Sequence, residues 1–154
     1  MNYSDPYVKQ ASSVVQSFLN ISRLLTKFTM QNAASLGLTL HQMGILNIIN
    51  SHPNITLKEI TEKLQIPKST VSINVDELVN LDLIDRKTNS NNRREINLTS
   101  TAKGKEKSLK SSENALSYRA MMAALEKLPE DTIQNLIQTH EELLAHLQTY
   151  ASEL

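Results

Sequence analysis

Residues 56–104 read TLKEITEKLQIPKSTVSINVDELVNLDLIDRKTNSNNRREINLTSTAKG. The opening TLKE is a capping box, in which the Thr56 hydroxyl and the Glu59 carboxylate reciprocally satisfy amides that the first turn of a helix leaves free. Leu57, Ile60 and Leu64 then supply one apolar face of a single short helix. QIPKST, residues 65–70, is a tight turn. Pro67 suits the first position of the next helix, because its fixed φ fits there and its missing N–H would have no partner anyway. In the second helix, PKSTVSINVDELVNLD, the residues Val71, Val75, Leu78 and Val79 recur at helical spacing and are expected to face inward. Lys68, Ser69, Thr70, Ser72 and Asn74 are expected at its start and on its outer face.

The chain continues into a hairpin. Leu83 to Thr88 reads as a strand, Ser90-Asn91-Asn92 as a turn, and Arg93 to Thr101 as a returning strand with Ile96 and Leu98 on one face. Asn91, Asn92, Arg93 and Arg94 tip this finger, and Arg86 and Lys87 form its base. Helix, tight turn, helix and basic hairpin is the order of a winged helix-turn-helix that reads double-stranded DNA. Hydroxyls and amides on the second helix bond base edges or phosphates, Lys68 neutralises a phosphate with Thr56 positioned beside the backbone, and the positive helix end adds to both. A narrow minor groove, with its negative potential, favours an inserted Arg. Any one of these hydroxyls reads equally well as a helix cap, and a polar hairpin tip alone reads as a solvated turn. It is the cluster that points to DNA.

These blocks resemble the multiple antibiotic resistance regulator (MarR) family of bacterial transcription factors. The resemblance runs over nearly the whole chain, through LTLHQMGILNII at Leu38 to Ile49, the block from Thr56 to Arg86, and NRREINLTSTAKGKE at Asn92 to Glu106. Thr101 and Gly104 match the family's Thr-x-x-Gly after the wing. The family's Asp-x-Arg at the wing tip corresponds to Asn92 and Arg94, so the resemblance places Arg94 in the minor groove with a neutral amide where a carboxylate usually orients it. Asn92 still accepts a hydrogen bond, without charge assistance. Ser100 stands where the family usually has an apolar residue, so that end of the strand is expected to pack loosely. The resemblance further implies a homodimeric repressor. A small molecule bound between the dimer helices and the DNA-binding part would alter the spacing of its two reading heads.

Charge is distributed as this reading requires, although the net charge is zero. Residues 86–110 hold eight Lys or Arg against two acids, whereas residues 111–154 hold two against seven. Arg86, Lys87, Arg93 and Arg94 are the better phosphate candidates. Lys103, Lys105, Lys107 and Lys110 read equally as a solvated helix face. Against this reading, residues 56–85 are net acidic, three basic against six acidic, and affinity for DNA is expected to be modest and strongly salt-dependent.

Both chain ends are helical in pattern. SDPY at Ser4 to Tyr7 starts a long helix with Val8, Ala11, Val15, Phe18, Ile21, Leu25 and Phe28 three or four residues apart. LGLT, residues 36–39, breaks it. A second capping box, TLHQ at Thr39 to Gln42, opens a helix ending near His52-Pro53. After Gly104 the pattern is helical to about Leu125. Pro129-Glu130-Asp131 then opens a final helix striped by Ile133, Leu136, Ile137, His140, Leu143, Leu144, Leu147 and Tyr150. This is more apolar surface than a small winged helix covers alone, which favours dimerisation; folding back as an ordinary bundle is the alternative. A two-fold dimer would set its reading helices about one DNA turn apart, over an imperfect palindrome.

The expected fold is therefore mainly α with a small antiparallel β-hairpin wing. Residues 38–104 form the winged helix-turn-helix, flanked by helical dimerisation regions at 1–37 and 105–154. No cysteine is present, which excludes disulfides and thiol sensing. His41, His52, His140 and His146 lack metal-ligand spacing, and the three glycines build no phosphate cradle. Neither a catalytic constellation, a cofactor nor a metal is expected. With no apolar run long enough to span a bilayer and no signal-like start, a cytoplasmic protein without a membrane partner is expected. A helical adaptor using the winged fold to bind another protein is the competing reading.

Overall fold

A computed structural model describes residues 4–88 and 96–153 of the chain. The long first helix, α1 (Pro6–Ser35), is capped by the Asp5 carboxylate, which accepts from the Tyr7 amide, and it ends before Gly37 at φ 66°. Helix α2 (Leu40–Ser51) and helix α3 (Leu57–Leu64) both begin with the capping boxes read from Thr39/Gln42 and Thr56/Glu59. Helix α4 (Lys68–Asn80) follows after Gln65, which takes the left-handed conformation at φ 51°; Pro67 is its N-cap and not its first residue, so the helix starts one residue later than expected.

The hairpin strands are β2 (Ile84–Thr88) and β3 (Ile96–Ser100), paired antiparallel so that Arg86 faces Leu98 and Lys87 faces Asn97. A two-residue strand, β1 (Ile55–Thr56), joins the other edge of β3 and gives a three-stranded sheet in the order β1-β3-β2. Beyond the sheet the chain forms α5 (Ala102–Glu113), α6 (Leu116–Leu125) and α7 (Glu130–Ser152). The single helical pattern expected up to Leu125 is thus broken at Asn114, the C-cap of α5.

The core lies among α2, α3, α4 and the sheet, where Ile45, Leu46, Ile49, Ile60, Val71, Val75, Leu78, Leu83, Ile84 and Leu98 are all buried. The Thr-x-x-Gly at Thr101 to Gly104 closes this core. Thr101 caps α5 through the Gly104 amide, its own amide donates to the Leu83 carbonyl, and its hydroxyl donates to the Asp82 carbonyl. A Cβ on Gly104 would stand 1.9 Å from the Leu83 oxygen, so only glycine lets the helix pass this close to the backbone. At the neighbouring Ser100 the hydroxyl is buried and has no hydrogen-bond partner among the described residues.

By contact the chain divides into two compact units, residues 1–116 and 117–154. Helix α5, grouped with the terminal helices on sequence, belongs to the first. In the first unit, α1 buries only Asn32 and Ala33 and leaves Val15, Ile21, Leu24 and Met30 exposed. In the second, α7 buries no residue and exposes Leu136, Ile137, Leu144, Leu147 and Tyr150.

Candidate nucleic-acid interface

The helix-turn-helix presents the first turn of α4 outward. Lys68 and Ser69 are exposed there, while Thr70 and Ser72 are half-buried. Because Pro67 supplies no side-chain cap, the amides of this first turn remain open to a ligand.

Asn74 does not lie on the outer face. It is only 9% exposed, and its Nδ2 donates to the Thr70 carbonyl at 2.8 Å while its Oδ1 accepts from the Thr39 hydroxyl at 3.5 Å. Next to it, Gln42 Nε2 donates to the Glu77 carboxylate at 2.7 Å, and Gln42 Oε1 accepts from the Thr39 amide at 2.8 Å. The residues that cap α2 therefore also clamp α4, and Asn74 serves this clamp instead of reading bases. Its place was readable, since it sits three residues after Val71 and four before Leu78, within the buried stripe. The polar residue type outweighed the spacing.

The side chain that does stand out from α4 is Ile73, 59% exposed. Sequence reading assigned Ile73 to neither face. The signal was the helical period, which sets position 73 about a hundred degrees from either Ser72 or Asn74 and in line with Ser69.

Thr56 forms the capping box read from the sequence. Its hydroxyl donates to Glu59 Oε2 at 2.7 Å and its amide donates to the same oxygen at 2.8 Å. Both donors are engaged in the cap of α3. These two hydrogen bonds, the amide's first, hold the Glu59 carboxyl below its ordinary value.

At the base of the wing, Arg86 and Lys87 alternate across the sheet and so point to opposite faces. Arg86 pairs with Asp76 of α4, tying wing to helix on the face shared with Leu98 and Ile96. A shallow groove on that side is lined by Thr56, Lys58, Lys68, Ser72, Asp76 and Arg86. Lys87 belongs to the other face, in a depression with Asp85, Thr99 and Lys105. Asn92, Arg93 and Arg94, together with the turn at Ser90 and Asn91, lie outside the described residues.

The lysines of α5 are largely committed within the chain. Lys103 Nζ donates to the Leu81 carbonyl at 2.7 Å, Lys107 donates to the Leu36 carbonyl, and Lys110 pairs with Glu106 at 2.7 Å. The Lys110–Glu106 pair is exposed; it raises the ammonium pKa and lowers that of the carboxyl through its own hydrogen bond and charge. Among the described residues no three His, Cys, Asp or Glu side chains gather as a metal site, and no helix is long and apolar enough to cross a membrane.

Comparison with known proteins follows the same outline. Residues 36–95 match the model of the MarR family. A multiple antibiotic-resistance repressor (MarR) from Listeria monocytogenes is 33% identical, over 94% of this chain and 98% of that one, with a TM-score of 0.65. A further MarR family transcription regulator superposes with a TM-score of 0.84 at 20% identity, over 99% of this chain and 100% of its own. A second Listeria monocytogenes protein, described as a putative MarR family transcriptional regulator complexed with 26mer DNA, gives a TM-score of 0.71 at 22% identity, over 86% of this chain and 87% of that one. Among curated proteins, none matches the chain.

Proposed function

The chain belongs to the MarR family of transcription regulators, and from that premise we propose that it is a homodimeric repressor that binds a two-fold-symmetric DNA site. The observation that carries this reading is the first turn of α4. Lys68 and Ser69 stand exposed on it, Thr70 and Ser72 flank them, and the helix is fixed against α2 by the Asn74 and Gln42 hydrogen bonds. A reading helix must be held rigidly for hydroxyl–base geometry to discriminate. Lys68 neutralises a phosphate while Ser69, Thr70 and Ser72 meet base edges or the sugar-phosphate chain. Arg86, Lys87, Asn92, Arg93 and Arg94 serve the wing. Arg86 exchanges its exposed partner Asp76 for a phosphate, at small cost because exposed ion pairs contribute little.

Support for dimerisation comes from the apolar residues left exposed on α1 and on α7, which a second copy would cover. Residues 1–37 and 105–154 are the proposed dimerisation regions, and residues 38–104 the proposed DNA-binding region. Repression follows from occupying the promoter. A small molecule with different affinities for two spacings of the reading helices would relieve it by linkage.

The test is a protection footprint on the DNA immediately upstream of the protein's own gene, titrated with salt against an unrelated duplex. Protection of a palindromic site, lost steeply as salt rises, is expected. Binding no tighter than to the unrelated duplex would overturn the repressor reading and favour a protein-binding adaptor.

A further inference from the structure

Ile73 has no structural reason to be where it is. A β-branched residue is a mediocre helix former, and an aliphatic side chain 59% exposed in the middle of α4 contributes little to the core. Its neighbours one turn away on the helix surface are Ser69, Thr70, Asp76 and Glu77, all polar. Both acids are engaged away from it, Asp76 with Arg86 and Glu77 with Gln42. The result is one methyl-bearing tip among hydroxyls, too small and isolated to seat a protein partner. It is complementary to the major-groove edge of an A·T pair, where the thymine 5-methyl group lies beside hydrogen-bond acceptors and donors.

We infer that Ile73 is a specificity-determining residue that packs against the thymine 5-methyl group of one A·T pair in each half-site, beside the contacts made by Ser69. This rests on the proposal that α4 enters the major groove. It adds a base preference that the hydroxyls alone do not supply, since Ser and Thr bond either type of pair. The clamp formed by Asn74 and Gln42 fixes the rotation of α4 and so keeps Ile73 outward.

The experiment uses the full chain and duplexes enriched by it from a random-sequence library. Each thymine of the enriched site is replaced in turn by deoxyuridine, which deletes only the methyl group, and affinity is measured for the native protein and for Ile73→Ala. At one thymine per half-site, deoxyuridine should weaken native binding about fourfold, the equivalent of one methyl-sized burial. The same replacement should leave the affinity of Ile73→Ala unchanged. Because Ile73 is exposed, the variant should melt with the native protein, so a loss of binding is not a loss of fold. If no thymine is sensitive, or if Ile73→Ala retains the full sensitivity, the assignment of Ile73 is wrong while DNA reading by α4 stands. If the library yields no enriched sequence at all, the DNA-reading proposal fails and this inference with it.

Discussion

The helix-turn-helix with its sheet and the helices at the chain ends solve the burial problem in opposite ways. Around Ile45, Leu46, Ile49, Ile60 and Leu98 the apolar side chains are closed off completely. Helices α6 and α7 bury no residue, and α7 carries Leu144 at 56% and Leu147 at 64% exposure. The difference is one of completeness. The first region is finished by contacts within one chain, including two capping boxes and a backbone approach at Gly104. The second has the amphipathic pattern of a packed helix but lacks the surface to pack on. Under the proposed function, the closed region would hold the reading helix in place and the open ends would associate.

The largest effect should come from polar substitution on the open side. Leu144→Ser combined with Leu147→Ser should weaken self-association by at least roughly a hundredfold, since burying each leucine contributes about 1.5 kcal/mol or more. Amides of Ile45, Leu46 and Ile49 should meanwhile remain protected from hydrogen exchange. Unchanged sedimentation would mean that α7 is not the open side.

On the closed side, Gly104→Ala forces a carbon into the Leu83 carbonyl and should destabilise the protein by about 3 kcal/mol in denaturant unfolding. A variant as stable as the native chain would show that α5 is not held so tightly. Next in size is Asn74→Ala, which leaves the Thr39 hydroxyl without its partner on α4 and should cost about 1–2 kcal/mol. Ile73→Ala should be nearly neutral in the same melt. Reversal of that order would place Asn74 outside and Ile73 inside.

The smallest effect concerns the cap of α3. Glu59 has a lowered carboxyl pKa in the folded state because the Thr56 amide and hydroxyl bond its charged form. Its contribution is therefore fully present at neutral pH and disappears as pH falls through the folded-state value. Glu59→Gln keeps a capping-box side chain, so the two proteins should differ slightly at pH 7 and converge in acid. A difference that grows in acid would contradict the assignment.

What was legible in the sequence was local. The capping boxes at Thr39 and Thr56 each join residues three apart, and both formed as read. The hairpin pairing of β2 with β3 also followed from neighbouring segments. What was not legible depended on partners far along the chain. Strand β1 exists because Ile55 meets Leu98, Asn74 turns inward because Thr39 awaits it, and Arg86 is neutralised by Asp76 across the wing base. Residue type misled at Asn74, an amide assigned outward, and the adjacent Ile73 was left unassigned. The opposed faces of Arg86 and Lys87 followed from strand alternation alone, yet a cluster of like charges reads as one patch until the strand is drawn.

The contrast between closed core and open ends is tested most directly by sedimentation equilibrium of the full chain without DNA. A single species of twice the 17.3 kDa chain mass, stable to dilution and to moderate salt, is the result this account predicts. A monomer at all concentrations would contradict it, because the exposed leucines of α7 would then have no second copy to cover them.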